Sequence, residues 1–170
     1  MDTTARLDAA DIERVRARLS GVEDVVRSPA FRCRQTAELL WLDHTDFRQV
    51  DRLWEQDFGD YEGIAFSDLP DRGQMEADAL AAYMPPNGES LEAVCVRAWP
   101  TLLDASKCAS RLNRLKALVV HAGIVKAAIG LTHVQTGAEM SFEVAPLSIT
   151  RLRVGTDRSV SILNVNETPQ

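Results

Sequence analysis

At 170 residues the chain has room for one domain with a sizeable core. Its 45% apolar and 26% charged residues fit a soluble globular protein, and no apolar run approaches a membrane span. A net charge of -6 argues against nucleic acid or an anionic membrane as the main partner, because both want a basic face. A small anion needs only a local cluster of cations, and one stretch has such a cluster.

The opening "MDTTARLDAADIERVRARL" has acidic residues and no apolar signal region, so a cytoplasmic protein is expected. In "LDAADIERVRARL", Asp8 is placed as N-cap, Ile12, Val15 and Leu19 fall at helical spacing, and Gly21 ends the helix. "EDVVRSP" reads as a short strand and a turn. "FRCRQTAELLWL" is then a helix, with Ser28 as its cap and Pro29 at its first position. A strand near Phe47–Val50 runs into a glycine-punctuated loop, "WEQDFGDYEG". "SDLPDRGQMEADALAAYM" is helical in part, broken at Pro70 and Gly73. After the turn "PPNGES", Ser90 caps a long helix that Pro100 should kink or split.

"KALVV", Lys116 to Val120, is a continuous apolar run, which fits a strand covered on both faces. "GIVKAAIGLTH" gives the next helix, and "SITRLRV" and "SVSILNV" around "GTDR" give a closing antiparallel hairpin. Strands alternating with helices predict an α/β fold with a mostly parallel sheet, as one domain over residues 1–170.

Ligands of open α/β sheets bind beyond the carboxyl ends of the strands. One such end carries Arg27, Ser28, Arg32 and Arg34. Another carries His121, with Gly123 at a helix start. Arginine forks and aimed helix N–H groups suit an oxyanion or phosphate. Taken singly, each of these residues is more often structural than functional. So are Glu55 and Glu62 in their acidic loop and Glu89 in its turn, and no motif surrounds His44 or His133. Cys33, Cys95 and Cys108 form no CxxC pair, so no metal or other cofactor is expected and core packing is their ordinary role. Cys33 neighbours Arg32, but its helix phase points it elsewhere.

The combination says more. In this order, "SPAFRCRQTAELL", "LWEQDFGDYEG", "PPNGESLEAV" and "VVHAGIVKAAIG" resemble the histidine phosphatase superfamily, which has the phosphoglycerate-mutase-like fold. Within it the chain looks most like the α-ribazole phosphatases of cobalamin biosynthesis, and "FEVAPLSITRL" and "LNVNETP" add to that likeness. The resemblance spans about Leu7 to Pro169. It implies a three-layer α/β/α fold and a metal-independent phosphomonoester hydrolysis through a phosphohistidine. It also implies residue roles: Arg32 and His121 on the phosphoryl group, Glu55 as proton donor, and Glu89 in support. Arg27, where the family usually has Ser, adds a cation beside the pocket.

The family's first strand ends in Arg-His-Gly, whose histidine attacks phosphorus, and this sequence contains no such triplet. The resemblance begins at the helix that follows that strand. Covalent phosphoryl transfer needs an in-line attacking imidazole, and His121 cannot easily serve as both holder and attacker. Little or no phosphatase activity is therefore expected of the chain as it stands. Three explanations are open: a degenerate family member, a truncated one, or an oligomer in which another chain supplies the strand. A non-catalytic protein that keeps a phosphate pocket is the alternative reading of function.

Overall fold

The computed structural model describes residues 7–22, 24–43, 47–71, 73–112, 114–132, 137–155, 157 and 159–169, without the side chains of 66 and 107–112. In chain order the elements are α1 (Ala9–Arg18), β1 (Asp24–Arg27), α2 (Phe31–Leu40), β2 (Arg48–Gln49), α3 (Ala77–Ala82), α4 (Leu91–Leu112), β3 (Lys116–Val119), α5 (Ala122–Gly130), β4 (Ile149–Val154) and β5 (Val160–Glu167). Short 3-10 turns punctuate the long connection between β2 and α3.

The strands β2, β1 and β3 form a parallel sheet in that order, and β4 and β5 form a separate antiparallel hairpin. Side chains alternate across a strand, so neighbouring residues of β1 serve opposite faces. Val25 packs with Ala37 and Phe47, joined by Ala117 and Val119, under α2. Val26 packs with Val94, Ala98, Ile124 and Ala127 of α4 and α5, joined by Leu118. Two helical layers thus enclose the sheet, and this is the three-layer α/β fold that the sequence predicts. The indole Nε1 of Trp99 donates to the Ala127 carbonyl at 2.8 Å and ties α4 to α5. A third cluster, Ile12, Val15 and Leu40 with Leu147 and Ile149, seats α1 and the start of the hairpin against α2.

Local chemistry fixes several boundaries. The Asp8 carboxylate accepts from the Ala10 and Asp11 amides and caps α1 as expected, and Gly21 follows with φ +82°. The Ser90 hydroxyl accepts from Ala93 N and caps α4. Two expectations need correction. The first is that Pro100 does not split α4, which is continuous over 22 residues. Pro100 lies on the exposed side, and its neighbours Ala98 and Leu102 are held in the core, so packing outweighs the lost amide. Second, α2 begins at Phe31 with Ala30 at the N-cap and no side-chain cap, so neither Ser28 nor Pro29 has the assigned place. β3 is covered on both faces as expected, by Leu118 toward α4 and α5 and by Ala117 and Val119 toward α2, but one of its edges has no described partner. All four of its residues are only part-buried, and it pairs with β1 alone among the described strands. His44 and His133 and the side chain of Cys108 lie outside the described residues.

Candidate active site

Register builds the site. Arg27 pairs with Val119, and Ser28 N donates to the Val119 carbonyl at 3.0 Å. The next positions along both strands therefore leave the sheet side by side, which brings Ser28 to His121 across 93 residues of sequence. Both are buried, and His121 is also the N-cap of α5. From the first turn of α2, Arg32 Nη2 donates to His121 Nδ1 at 3.0 Å. A guanidinium has donors only, so this contact assigns the lone pair to Nδ1 and the ring hydrogen to Nε2. Nε2 then donates to Ser28 Oγ at 2.8 Å. The same oxygen accepts from Ala30 N at 3.3 Å, which explains why Ser28 does not cap α2.

Cys33 belongs to this cluster, contrary to its expected direction. Its Sγ lies 3.5 Å from His121 Nε2. The imidazole lies across the first turn of α2 and meets two consecutive side chains, so helix phase alone misjudged the contact. Burial pushes the Cys33 thiol up to about 11, against the lowering influence of Arg32 and Ser28. A thiol so placed is neutral near pH 7 and a poor nucleophile.

Glu55 reaches the cluster from the loop after β2. The preceding 3-10 turn sinks Leu53 completely into the core and thereby sets the chain's direction at Glu55. One carboxylate oxygen accepts from Gly123 N in the first turn of α5 and from Gln56 N, both at 3.0 Å. Burial holds its carboxyl above the usual carboxylate range, outweighing these two amides and the charges of Arg32 and Arg97. A carboxyl raised in this way is suited to hand over a proton.

The remaining sequence candidates take other places. Arg27 donates from Nη1 to the Ser28 carbonyl at 3.0 Å, and its Nε is buried without a partner among the described residues. Its charge is felt at Cys33, so it lies beside the cluster. Glu89 faces Arg97, which grips both carboxylate oxygens at 3.0 and 2.8 Å. Arg34 is exposed and paired with Glu38, as a solvated helix residue should be. Among the described residues, no group of three or more His, Cys, Asp or Glu side chains is placed to hold a metal ion. No described helix is long and apolar enough to cross a membrane.

A family model for the histidine phosphatase superfamily (branch 1) matches residues 6–168. The chain belongs to this superfamily. Solved structures of several phosphatases share its fold. A mycobacterial glucosyl-3-phosphoglycerate phosphatase superimposes with TM-score 0.83 at 20% identity, over 99% of this chain and 90% of that one. The α-ribazole phosphatase from Shigella flexneri gives 0.71 at 20% identity, over 98% and 86%. A phosphoserine phosphatase mutant from Entamoeba histolytica gives 0.78 at 20% identity, over 98% and 85%. No curated protein sequence matches. At these identities the neighbours speak for the histidine phosphatase fold, not for one substrate.

Gly123 gives a sharp handle on the seat of Glu55. A methyl added there would collide with the Glu55 carboxylate oxygen that Gly123 N holds. The obstacle is the tip of a flexible side chain, and alanine favours the helix by up to about 1 kcal/mol. Gly123→Ala is therefore expected to leave the melting temperature unchanged or raised while expelling Glu55 from its seat. The loss of the Glu55-linked pH titration of the Gln56 amide, read by NMR, checks this.

Proposed function

We propose that the chain recognises a small phosphomonoester of the kind taken by α-ribazole phosphatases, and that as it stands it hydrolyses such esters little or not at all. The carrying observation is the convergence of three distant motifs on one sheet edge: Arg32 on His121 at 3.0 Å, with Glu55 seated on Gly123 two residues further on. Arg32 offers a planar fork to phosphoryl oxygens, and His121 offers a ring nitrogen at the head of a helix. Glu55 stands ready to protonate a leaving oxygen. Arg27 adds charge where a phosphoryl group would lie.

Among the described residues, no group is placed to attack phosphorus in this arrangement. The sequence holds no Arg-His-Gly, Cys33 is a neutral thiol, and His121 is engaged on both ring nitrogens. Removing the nucleophile from a cooperating catalytic set usually removes most of the rate. The reading therefore favours a protein that binds a phosphate ester without turning it over. Its cytoplasmic setting and any link to cobalamin chemistry belong to the same proposal.

Purified protein is expected to release little or no p-nitrophenol from p-nitrophenyl phosphate, and His121→Ala to change that background little. Turnover at rates typical of the family's phosphatases, abolished by His121→Ala, would contradict the proposal.

A further inference from the structure

Arg97 is engaged through three of its nitrogens, and neither a phosphate role nor core packing accounts for it. It sits on α4 at the margin of the apolar stripe Leu91, Val94, Cys95, Ala98 and Leu102. A cation drawn that close to a core needs partners for its donors. Its Nε and Nη2 hold the two Glu89 oxygens at 3.0 and 2.8 Å. Its Nη1 donates to the Arg52 and Trp54 carbonyls at 2.8 and 3.1 Å, and Nη2 also reaches the Glu55 carbonyl at 3.4 Å. One guanidinium therefore binds the main chain of three residues in the segment that carries Glu55.

Glu89 closes the ring from the other side. Its carbonyl accepts from Gln56 Nε2 and its amide donates to the Asp57 carbonyl, both at 2.7 Å. The segment 52–57, the turn before α4 and α4 itself thus meet at a single ion pair. The Glu55 side chain leaves this frame toward the Gly123 amide, 3.0 Å from its carboxylate oxygen.

We infer that Arg97, braced by Glu89, is a positioning residue that fixes the backbone of 52–57 so that the Glu55 carboxylate lands on the Gly123 amide. This rests on the reading of Glu55 as the site's acid. Lysine would keep the charge but not the planar fork, so one ammonium could not hold both Glu89 oxygens and three carbonyls together. The inference therefore concerns geometry, and Arg97→Lys separates geometry from charge.

The test uses the full chain labelled with ¹⁵N, following the Gly123 and Gln56 amides from about pH 4 to about pH 8. The titratable and charged groups near Glu55 are Arg32 and Cys33 on α2 and Arg97 on α4. His121 lies two residues before Gly123, and histidine changes charge in the same window. Glu55→Gln is therefore the control that identifies the Glu55 component.

In the unaltered protein both amides should share that component, with a midpoint above the usual carboxylate range. In Arg97→Lys its amplitude at Gly123 should fall to less than about half, and the midpoint should move down as the carboxyl regains water. Should Arg97→Lys fail to fold, Glu89→Gln carries the test, with the same direction expected. Unchanged amplitude and midpoint in the variant overturn the positioning role alone. If the unaltered protein shows no Glu55 component at all, the acid assignment falls and this inference falls with it.

Discussion

Inorganic phosphate is expected to bind saturably to the purified chain, and Arg32→Ala to weaken that binding by about 10- to 100-fold. The magnitude follows from the charged hydrogen bonds lost, about 1.5–3 kcal/mol, at 1.4 kcal/mol for each tenfold in affinity. Arg32 stands in the first turn of α2, with its fork against His121 Nδ1 at 3.0 Å. An anion entering there meets a guanidinium, the α5 head and the nearby charge of Arg27. Arg32→Lys should recover only part of the affinity, because an ammonium has no paired donors to match two phosphoryl oxygens. Calorimetric titration checks all three proteins. Equal affinity in the unaltered protein and Arg32→Ala would remove Arg32 from the phosphate site.

Gly59→Ala should be among the most damaging single substitutions in the chain. Gly59 has φ +54°, and a Cβ there would run into the backbone of residues 86–88: the Pro86 carbonyl, Gly88 N at 2.5 Å and Asn87 C at 2.6 Å. None of these atoms can turn aside like a side-chain tip. The two loops they belong to are clamped together, Asp60 N on the Pro86 carbonyl at 2.9 Å and Glu89 N on the Asp57 carbonyl at 2.7 Å. Gly21 is the matched control, because it has φ +82° but nothing within 4 Å of its added Cβ. Gly21→Ala should cost about 1 kcal/mol from backbone strain alone, and Gly59→Ala about 3 kcal/mol or more. Urea melts read the difference. Gly59→Ala should also weaken phosphate binding through the displaced Glu55 and Glu89 segments, which Gly21→Ala should not do. Equal costs for the two substitutions would mean that the clamp between the loops is loose.

Much of the layering was legible because it depends on short-range pattern. Val25 and Val26 differ by one position and serve opposite faces, as strand alternation requires. Asp8 and Ser90 cap their helices with their own side chains. The core stripe of α4 follows the helical period. The residues Arg32, Glu55 and His121 could be named from the family's motifs, but no periodicity would have joined them.

What stayed hidden depends on long-range choice. The Ser28 hydroxyl could cap the helix three residues on or meet a ring 93 residues away, and it takes the ring. Cys33 lies about 100° around the helix from Arg32, yet a planar imidazole is broad enough to touch both. Arg97 carried one available signal, a cation flanking an apolar stripe, but nothing local says which carbonyls it binds. The edge position of β3 was hidden for another reason. An apolar run tells that the faces of a strand are covered, but not which strands pair with its edges.

The central claim is that this member of the histidine phosphatase superfamily holds a phosphate ester without attacking it. ³¹P NMR of the purified chain with p-nitrophenyl phosphate tests both halves in one tube. The predicted result is a saturable shift or broadening of the ester resonance, lost in Arg32→Ala, with no growth of an inorganic phosphate signal beyond the protein-free control. Steady release of inorganic phosphate that requires His121 would contradict the account, and so would an ester resonance that ignores the protein at every concentration.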